Sequence, residues 1–184
     1  MDLSKILIRD TNDGDFNDIM EVEKKAFGYD KEAQLVADLL NDKTAEPYIS
    51  LLAFDDGKAV GHILFTRVHI NEITNKPLFH ILAPLAVKPE WQKRGIGGML
   101  IYEGLNKLKE IGSEMVFVLG HIGYYPKFGF ITDAKSQGYT APFPIPEEYS
   151  DAWMVQTLTE EGKMINPGQV ICAKELNKPE HWRE

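Results

Sequence analysis

Residues 82–98 read Leu-Ala-Pro-Leu-Ala-Val-Lys-Pro-Glu-Trp-Gln-Lys-Arg-Gly-Ile-Gly-Gly, and no other stretch constrains the fold as tightly. An apolar strand runs into a turn at Lys88–Glu90, followed by a cluster of Gln92, Lys93, Arg94, Gly95 and Gly97. A long amphipathic pattern starts immediately afterwards. A strand, a glycine-containing loop and a helix N-terminus in that order leave backbone N–H groups unpaired, and the helix dipole adds to their pull on an anion. Glycine lets the backbone come close to a bulky phosphate because no Cβ intervenes. Lys93 and Arg94 add positive charge there. The stretch therefore predicts a cradle for a diphosphate.

Spacing sorts the kinds of cradle. A Walker loop needs Gly-Lys-Ser or Gly-Lys-Thr, and neither tripeptide occurs. A dinucleotide fingerprint counted from Gly95 and Gly97 meets Leu100 where Gly or Ala is required. Gln92-Lys93-Arg94-Gly95-Ile96-Gly97 instead fits Gln/Arg-x-x-Gly-x-Gly/Ala. With Leu85-Ala86-Val87 and Pro89 ahead of it, it resembles the acetyl-CoA-binding motif of the GCN5-related N-acetyltransferases.

Composition narrows the alternatives. A chain of 184 residues with 43% apolar content suits one domain with a sizeable core. The net charge of -8 works against nucleic acid and anionic membranes, so the basic group Lys88, Lys93 and Arg94 stands out. No run of about 18 apolar residues is present to span a bilayer, and no apolar leader opens the chain. The single cysteine, Cys172, excludes an intrachain disulfide and a cysteine-rich zinc site, which fits a reducing cytoplasm.

Periodicity predicts a strand at Lys5–Arg9, a helix from Phe16 to Phe27 stopped by Gly28, and a second helix from Asp30 with Leu35, Val36, Leu39 and Leu40 as its buried stripe. Glu21, Glu23 and Glu32 on these helices read as solvated carboxylates. Asp56-Gly57 between alternating runs predicts a hairpin of Tyr48–Phe54 and Ala59–Ile70. Within it Val60, Leu64 and Val68 are expected on one face, Ile63 and Phe65 on the other. His62 and His69 lack cysteine or helical histidine partners, so no metal site is predicted. After a polar loop at Asn71–Pro77 comes a strand, Leu78–Val87. Pro84 inside it cannot donate to a ladder, which predicts a bulge or a splayed edge. A helix at about Gly95–Ile111 and a buried strand at Met115–Leu119 make a right-handed parallel crossover. Ala141–Pro146 is a stiff segment, either a connector or a wall of an acceptor pocket. Tyr149–Leu158 and Val170–Leu176 read as the last strands, and Trp182 as a local packing residue.

A second resemblance lies in Tyr124-Tyr125-Pro126-Lys127-Phe128-Gly129-Phe130, similar to the family's aromatic-Tyr pair before Gly-Phe. The Pro-rich connector and Trp153-Met154-Val155 that follow resemble one predicted bacterial N-acetyltransferase branch. Element order and resemblance together predict a single α/β domain over residues 1–184. Its sheet is mixed but mostly antiparallel, with a splayed parallel strand pair and helices on both faces; the core spans about 5–135 and strands within 149–176 complete the sheet.

The resemblance implies transfer of an acetyl group from acetyl-CoA to a primary amine. The pyrophosphate falls to Gln92, Lys93, Arg94, Gly95, Ile96, Gly97 and Gly98. The Leu85 N–H faces the thioester carbonyl, Val87 pairs with the pantetheine amides, and Ala86 lies between them. Tyr125 takes the place of the tyrosine beside the sulfur, where a phenol can protonate the departing thiolate. Some histone-acetylating relatives carry a glutamate four residues before the position of Leu85; Ile81 stands there, so that base is not carried over. Glu32 ranks first as the base, ahead of His121, with Glu23 also on a helix bordering the acceptor. The acceptor is a small-molecule amine or a peptide, with nucleic acid and membrane excluded and a homodimer left open. A non-catalytic acyl-CoA-binding module is the other reading, and a nucleotide-binding enzyme a remote third.

Overall fold

A computed structural model describes residues 2–71 and 77–183, so most of the polar loop expected at Asn71–Pro77 lies outside the described residues. The strands are β1 (Ile6–Asp10), β2 (Ile49–Asp55), β3 (Lys58–Ile70), β4 (Leu78–Val87), β5 (Ser113–Leu119), β6 (Tyr139–Thr140), β7 (Trp153–Thr157) and β8 (Gly168–Cys172). The α-helices are α1 (Phe16–Phe27), α2 (Lys31–Leu40) and α3 (Ile96–Glu110). The main sheet runs β1-β2-β3-β4-β5-β7. Its one parallel pair is β4 with β5; β8 adds antiparallel to the far end of β3, and the short β6 lies parallel to β8.

Each helix shows why its sequence folds as it does. Gly28 caps α1 in the left-handed region, its N–H donating to Lys24 O at 2.9 Å. On α3 the buried side is Ile96, Leu100, Ile101, Gly104, Leu105 and Leu108, while Ile111 is exposed beyond the helix end. Gly104 has no alternative, because the Phe65 ring occupies the space of a Cβ there. The sheet thus separates two apolar layers, α1 and α2 over one face and α3 over the other.

Val60 departs from expectation. It packs on the α3 side with Ile63 and Phe65, while Leu64 and Val68 face α1 and α2. Between the pairs Ala53↔Gly61 and Phe54↔Ala59 the register slips, so Val60 is an extra residue on β3. A bulge puts two consecutive side chains on one side. Three further boundaries also differ. Residues 147–152 form a 3-10 helix ahead of β7; β8 ends at Cys172; and Lys88 is buried beneath Glu21 of α1, its Nζ 3.3 Å from the carboxylate, on the opposite side from the cradle.

The bulge expected at Pro84 is present. Ile63 pairs with Leu85 and Phe65 with Leu82, so Ala83 and Pro84 together oppose Leu64. The β4–β5 ladder ends at Leu82↔Val118, whereas β7, on the other edge of β5, stays paired from Met115 to Leu119.

His80, on β4 before the bulge, is buried between Pro47 and Ser113. Its Nε2–H donates to Pro47 O at 2.7 Å, and Ser113 Oγ lies 2.8 Å from Nδ1. Burial holds its pKa down at about 4, against about 6.5 in an unfolded chain. Between those values only the unfolded state takes up the proton, so this contribution is intact above pH 6.5 and falls away as pH drops towards 4. By pH 5 the loss amounts to about 2 kcal/mol. Urea unfolding at pH 7 and pH 5 should show wild type losing more stability than His80→Asn; equal losses would remove His80 as the cause.

Candidate active site

Two cavities meet at the β4 bulge, and Leu85 lines both. The first, about 560 Å³, runs along the N-terminus of α3. Its backbone is set by two left-handed residues, Lys93 (φ 61°) and Gly95 (φ 91°), the latter being the cap of α3. The first-turn amides of Ile96, Gly97 and Gly98 precede the first intrahelical donor, Met99 N–H to Gly95 O at 3.1 Å. Gln92, Lys93, Gly95, Ile96, Gly97 and Gly98 line the cleft, as do Leu85 and Val87. Arg94 and Ala86 do not, and Ala86 is buried under the α1 layer.

The bulge decides what β4 offers to this cleft. Lys88 N–H donates to Val60 O at 2.9 Å on β3. Alternation along the ladder turns the N–H groups of Leu85 and Val87 the other way, to the edge that β5 has left. The Gln92 side chain closes the strand end, its Nε2 donating to Val87 O at 2.9 Å.

An aromatic wall faces the helix terminus. Tyr124 and Phe128 pack edge-to-face at 5.1 Å, and Tyr102 and Phe128 at 5.3 Å. A Cβ on Gly97 would come within 2.5 Å of the Tyr124 hydroxyl, and one on Gly98 within 3.1 Å of the Phe128 ring. The glycines are therefore required twice, by backbone access and by this wall. Trp91, Met99, Tyr102, Tyr124 and Phe128 all line the cleft. None of them belongs to the hexapeptide, and sequence reasoning assigned none to the site.

The second cavity, about 270 Å³, opens on the α1–α2 side. Tyr125 and Glu32 both line it, having come from segments more than ninety residues apart. Burial pushes the Tyr125 phenol well above its ordinary pKa, so it carries its proton at neutral pH. Its ring packs against Tyr124 and Phe130, over the end of β5 where only a glycine, Gly120, leaves room. Glu32 accepts a 3.3 Å hydrogen bond from Tyr29 on Oε1, and its Oε2 is buried with no hydrogen-bond partner. His121 is exposed and lines neither cavity, its Nδ1 accepting from Gly123 N–H at 3.4 Å.

Glu23 is not the solvated carboxylate expected. It is fully buried, with Oε1 2.6 Å from His62 Nδ1, while His62 Nε2 lies 2.9 Å from Ser50 Oγ. The tautomer with the proton on Nδ1 satisfies both contacts. Burial raises the Glu23 carboxyl above the usual carboxylate range, and the His62 contact opposes that. The C-terminal segment supplies the remaining wall. Leu176, Glu180, His181 and Trp182 line the cavity, and Trp182, buried against Trp153 with ring centres 5.5 Å apart, is far more than a local packing residue. The Pro-rich segment lies elsewhere, around a separate cavity of about 330 Å³ with Lys135, Trp153 and Gln169. Among the described residues no cluster of histidine, cysteine and acidic side chains could hold a metal ion, and no helix is long and apolar enough to cross a membrane.

This fold, with its split β4–β5 pair and its cradle at α3, is that of an acetyltransferase: the chain belongs to the acetyltransferase (GNAT) family, which matches residues 16–130. Among its relatives, the uncharacterized N-acetyltransferase YjhQ of Escherichia coli (strain K12) is 53% identical over 163 residues, covering 89% of this chain and 90% of that protein. The crystal structure of Escherichia coli YhbS, a GNAT family N-acetyltransferase in complex with CoA, superposes with a TM-score of 0.84 at 29% identity, covering 95% of this chain and 93% of that one. A Brucella melitensis GNAT family acetyltransferase in complex with acetyl-CoA gives a TM-score of 0.74 at 28% identity, covering 93% and 97%.

Gly120 provides a direct check on the site's construction. Gly120→Val sets a branched side chain into the Tyr125 ring, and overpacking of this kind costs about 1–3 kcal/mol. A lowered Tm together with a displaced Tyr125 in a crystal structure of the variant is expected. An unmoved ring at wild-type Tm would show that Gly120 does not set its position.

Proposed function

We propose that the protein is an N-acetyltransferase that binds acetyl-CoA in the first cavity and moves its acetyl group directly to a primary amine held in the second. One observation carries this reading: the two cavities meet at Leu85, with an anion-binding helix terminus on one side and Glu32 and Tyr125 on the other. The CoA and acetyl-CoA bound to the two solved relatives support the assignment of the first cavity.

In this reading the amides from Gln92 to Gly98 hold the pyrophosphate, aided by the Lys93 and Arg94 charges. The pantetheine arm occupies the strand edge left open beyond Leu82, paired with Val87. Glu32 removes a proton from the acceptor ammonium. The free amine nitrogen attacks the thioester carbonyl carbon, and the Leu85 N–H steadies the resulting oxyanion. The attack forms the C–N bond, and collapse of the intermediate restores the C=O bond and breaks the C–S bond, the electron pair leaving on sulfur. Tyr125 protonates the thiolate and recovers a proton from the former amine nitrogen, so acetyl-CoA and ammonium give N-acetylamine, CoA and one proton. No covalent enzyme intermediate is involved. Cys172 is buried, with its thiol pushed up by that burial, and it lines neither cavity.

Gly97→Val closes both the backbone approach and the seat of Tyr124. Titration calorimetry should show CoA bound at least about tenfold more weakly than by wild type. Unchanged affinity would place the cradle elsewhere.

The proton roles are tested together. Tyr125→Phe should lower kcat by about a hundredfold while leaving the KM for acetyl-CoA within about twofold. Glu32→Gln should lose the acidic limb of the kcat/KM profile, and His121→Ala should keep it. If both of the latter variants retain the limb and the rate, neither is the base and a water chain serves instead. Absence of thiol release with every amine, alongside intact CoA binding, would favour a non-catalytic acyl-CoA-binding module.

A further inference from the structure

One wall of the second cavity comes from a segment outside the family match, which ends at Phe130. After β8 the chain forms a strap over residues 173–182. Its start is fastened to the loop after α2, with Lys174 N–H donating to Thr44 Oγ1 at 2.8 Å and Glu175 N–H to Asp42 Oδ2 at 3.0 Å. Its end is pinned by Trp182, whose indole N–H donates to Leu176 O at 3.1 Å. Between these anchors Leu176 and Glu180 are held against the cavity.

The walls sort possible acceptors by chemistry. Phe27 and Leu35 from the helices and Leu176 and Trp182 from the strap are apolar, and the β4 side is Ile81 to Pro84. One carboxylate oxygen is buried in this interior, Oε2 of Glu32, and it has no hydrogen-bond partner in the protein; Glu180 of the strap stands at the mouth, exposed and 3.9 Å from His181 Nε2. The other charged group is Lys31, exposed on the first turn of α2, and burial lowers the pKa of His181 so that the ring is neutral at pH 7. One ammonium satisfies Glu32. A second charge or a peptide backbone carried past the mouth into the interior would lie against hydrocarbon without a partner, at a cost of several kcal/mol for a charge.

We propose, resting on the acetyltransfer reading above, that the acceptor is a primary amine with a single positive charge on an apolar aryl or alkyl body, selected by the strap through Leu176.

The test is thiol release at saturating acetyl-CoA with five amines: 2-phenylethylamine, hexylamine, spermidine, free lysine and a lysine-containing peptide, with products checked by mass spectrometry. The first two should show kcat/KM at least about tenfold above the other three. Leu176→Lys should erase that preference. The variant should keep wild-type CoA affinity and a Tm close to wild type, which separates a changed wall from a damaged fold. Faster turnover of spermidine, lysine or peptide overturns the inference and leaves acetyltransfer standing. If no amine releases thiol, calorimetry of 2-phenylethylamine on the CoA-loaded protein decides. Saturable binding weakened about tenfold by Leu176→Lys supports the cavity's ligand class while the catalytic reading fails; no binding overturns it.

Discussion

Everything functional in this molecule depends on a ladder that stops. β4 and β5 are paired as far as Leu82 and Val118, and then Ala83 and Pro84 crowd two residues opposite Leu64. A parallel pair loses its regular hydrogen bonds at that point, while β7 holds the other edge of β5 from Met115 through Leu119. The freed edge of β4 faces both cavities at once. The backbone N–H groups of Leu85 and Val87 would be a defect in an ordinary sheet. Here they lie along the edge of β4 that β5 leaves open, where the two cavities meet.

The two sides of the sheet divide the work. On the α3 side, glycines at the helix start and an aromatic wall of Tyr102, Tyr124 and Phe128 make a long cleft whose polar groups are backbone amides. On the α1–α2 side the polar groups are side chains. Glu32 is in the cavity, and Glu23, His62 and Ser50 form a buried chain on the same helical layer. Adjacent tyrosines line different cavities, Tyr124 the cleft and Tyr125 the smaller one, although both pack against the α3-side core. Leu85 is the residue they share.

Much of the fold was legible because the signals were local. The Gly95–Gly98 helix start, the Asp56-Gly57 hairpin, the stop at Gly28 and the irregularity at Pro84 are each produced by one residue's backbone chemistry acting on its neighbours. Errors arose where a distant partner set the outcome. The side of the sheet that Val60 faces depends on a slip against Phe54, which alternation within β3 cannot register. Glu23 read as a solvated carboxylate and Lys88 as part of the basic group with Lys93 and Arg94, yet each is buried against a partner on another element, His62 and Glu21. The strand read at Val170–Leu176 stops at Cys172, because the strap that follows is held by hydrogen bonds to Asp42 and Thr44, more than 120 residues away.

The sequence by itself determined the family, most of the order of elements and the glycine-rich start of α3, because those are written in contiguous residues. Tertiary structure alone decided which titratable groups share a cavity. Glu32 and Tyr125 come together, while His121, only four residues from Tyr125, is left outside. It alone also decided that the C-terminal strap walls the smaller cavity. Proximity in a folded chain follows from how layers pack across the sheet, and no local pattern encodes the direction in which a loop leaves its strand.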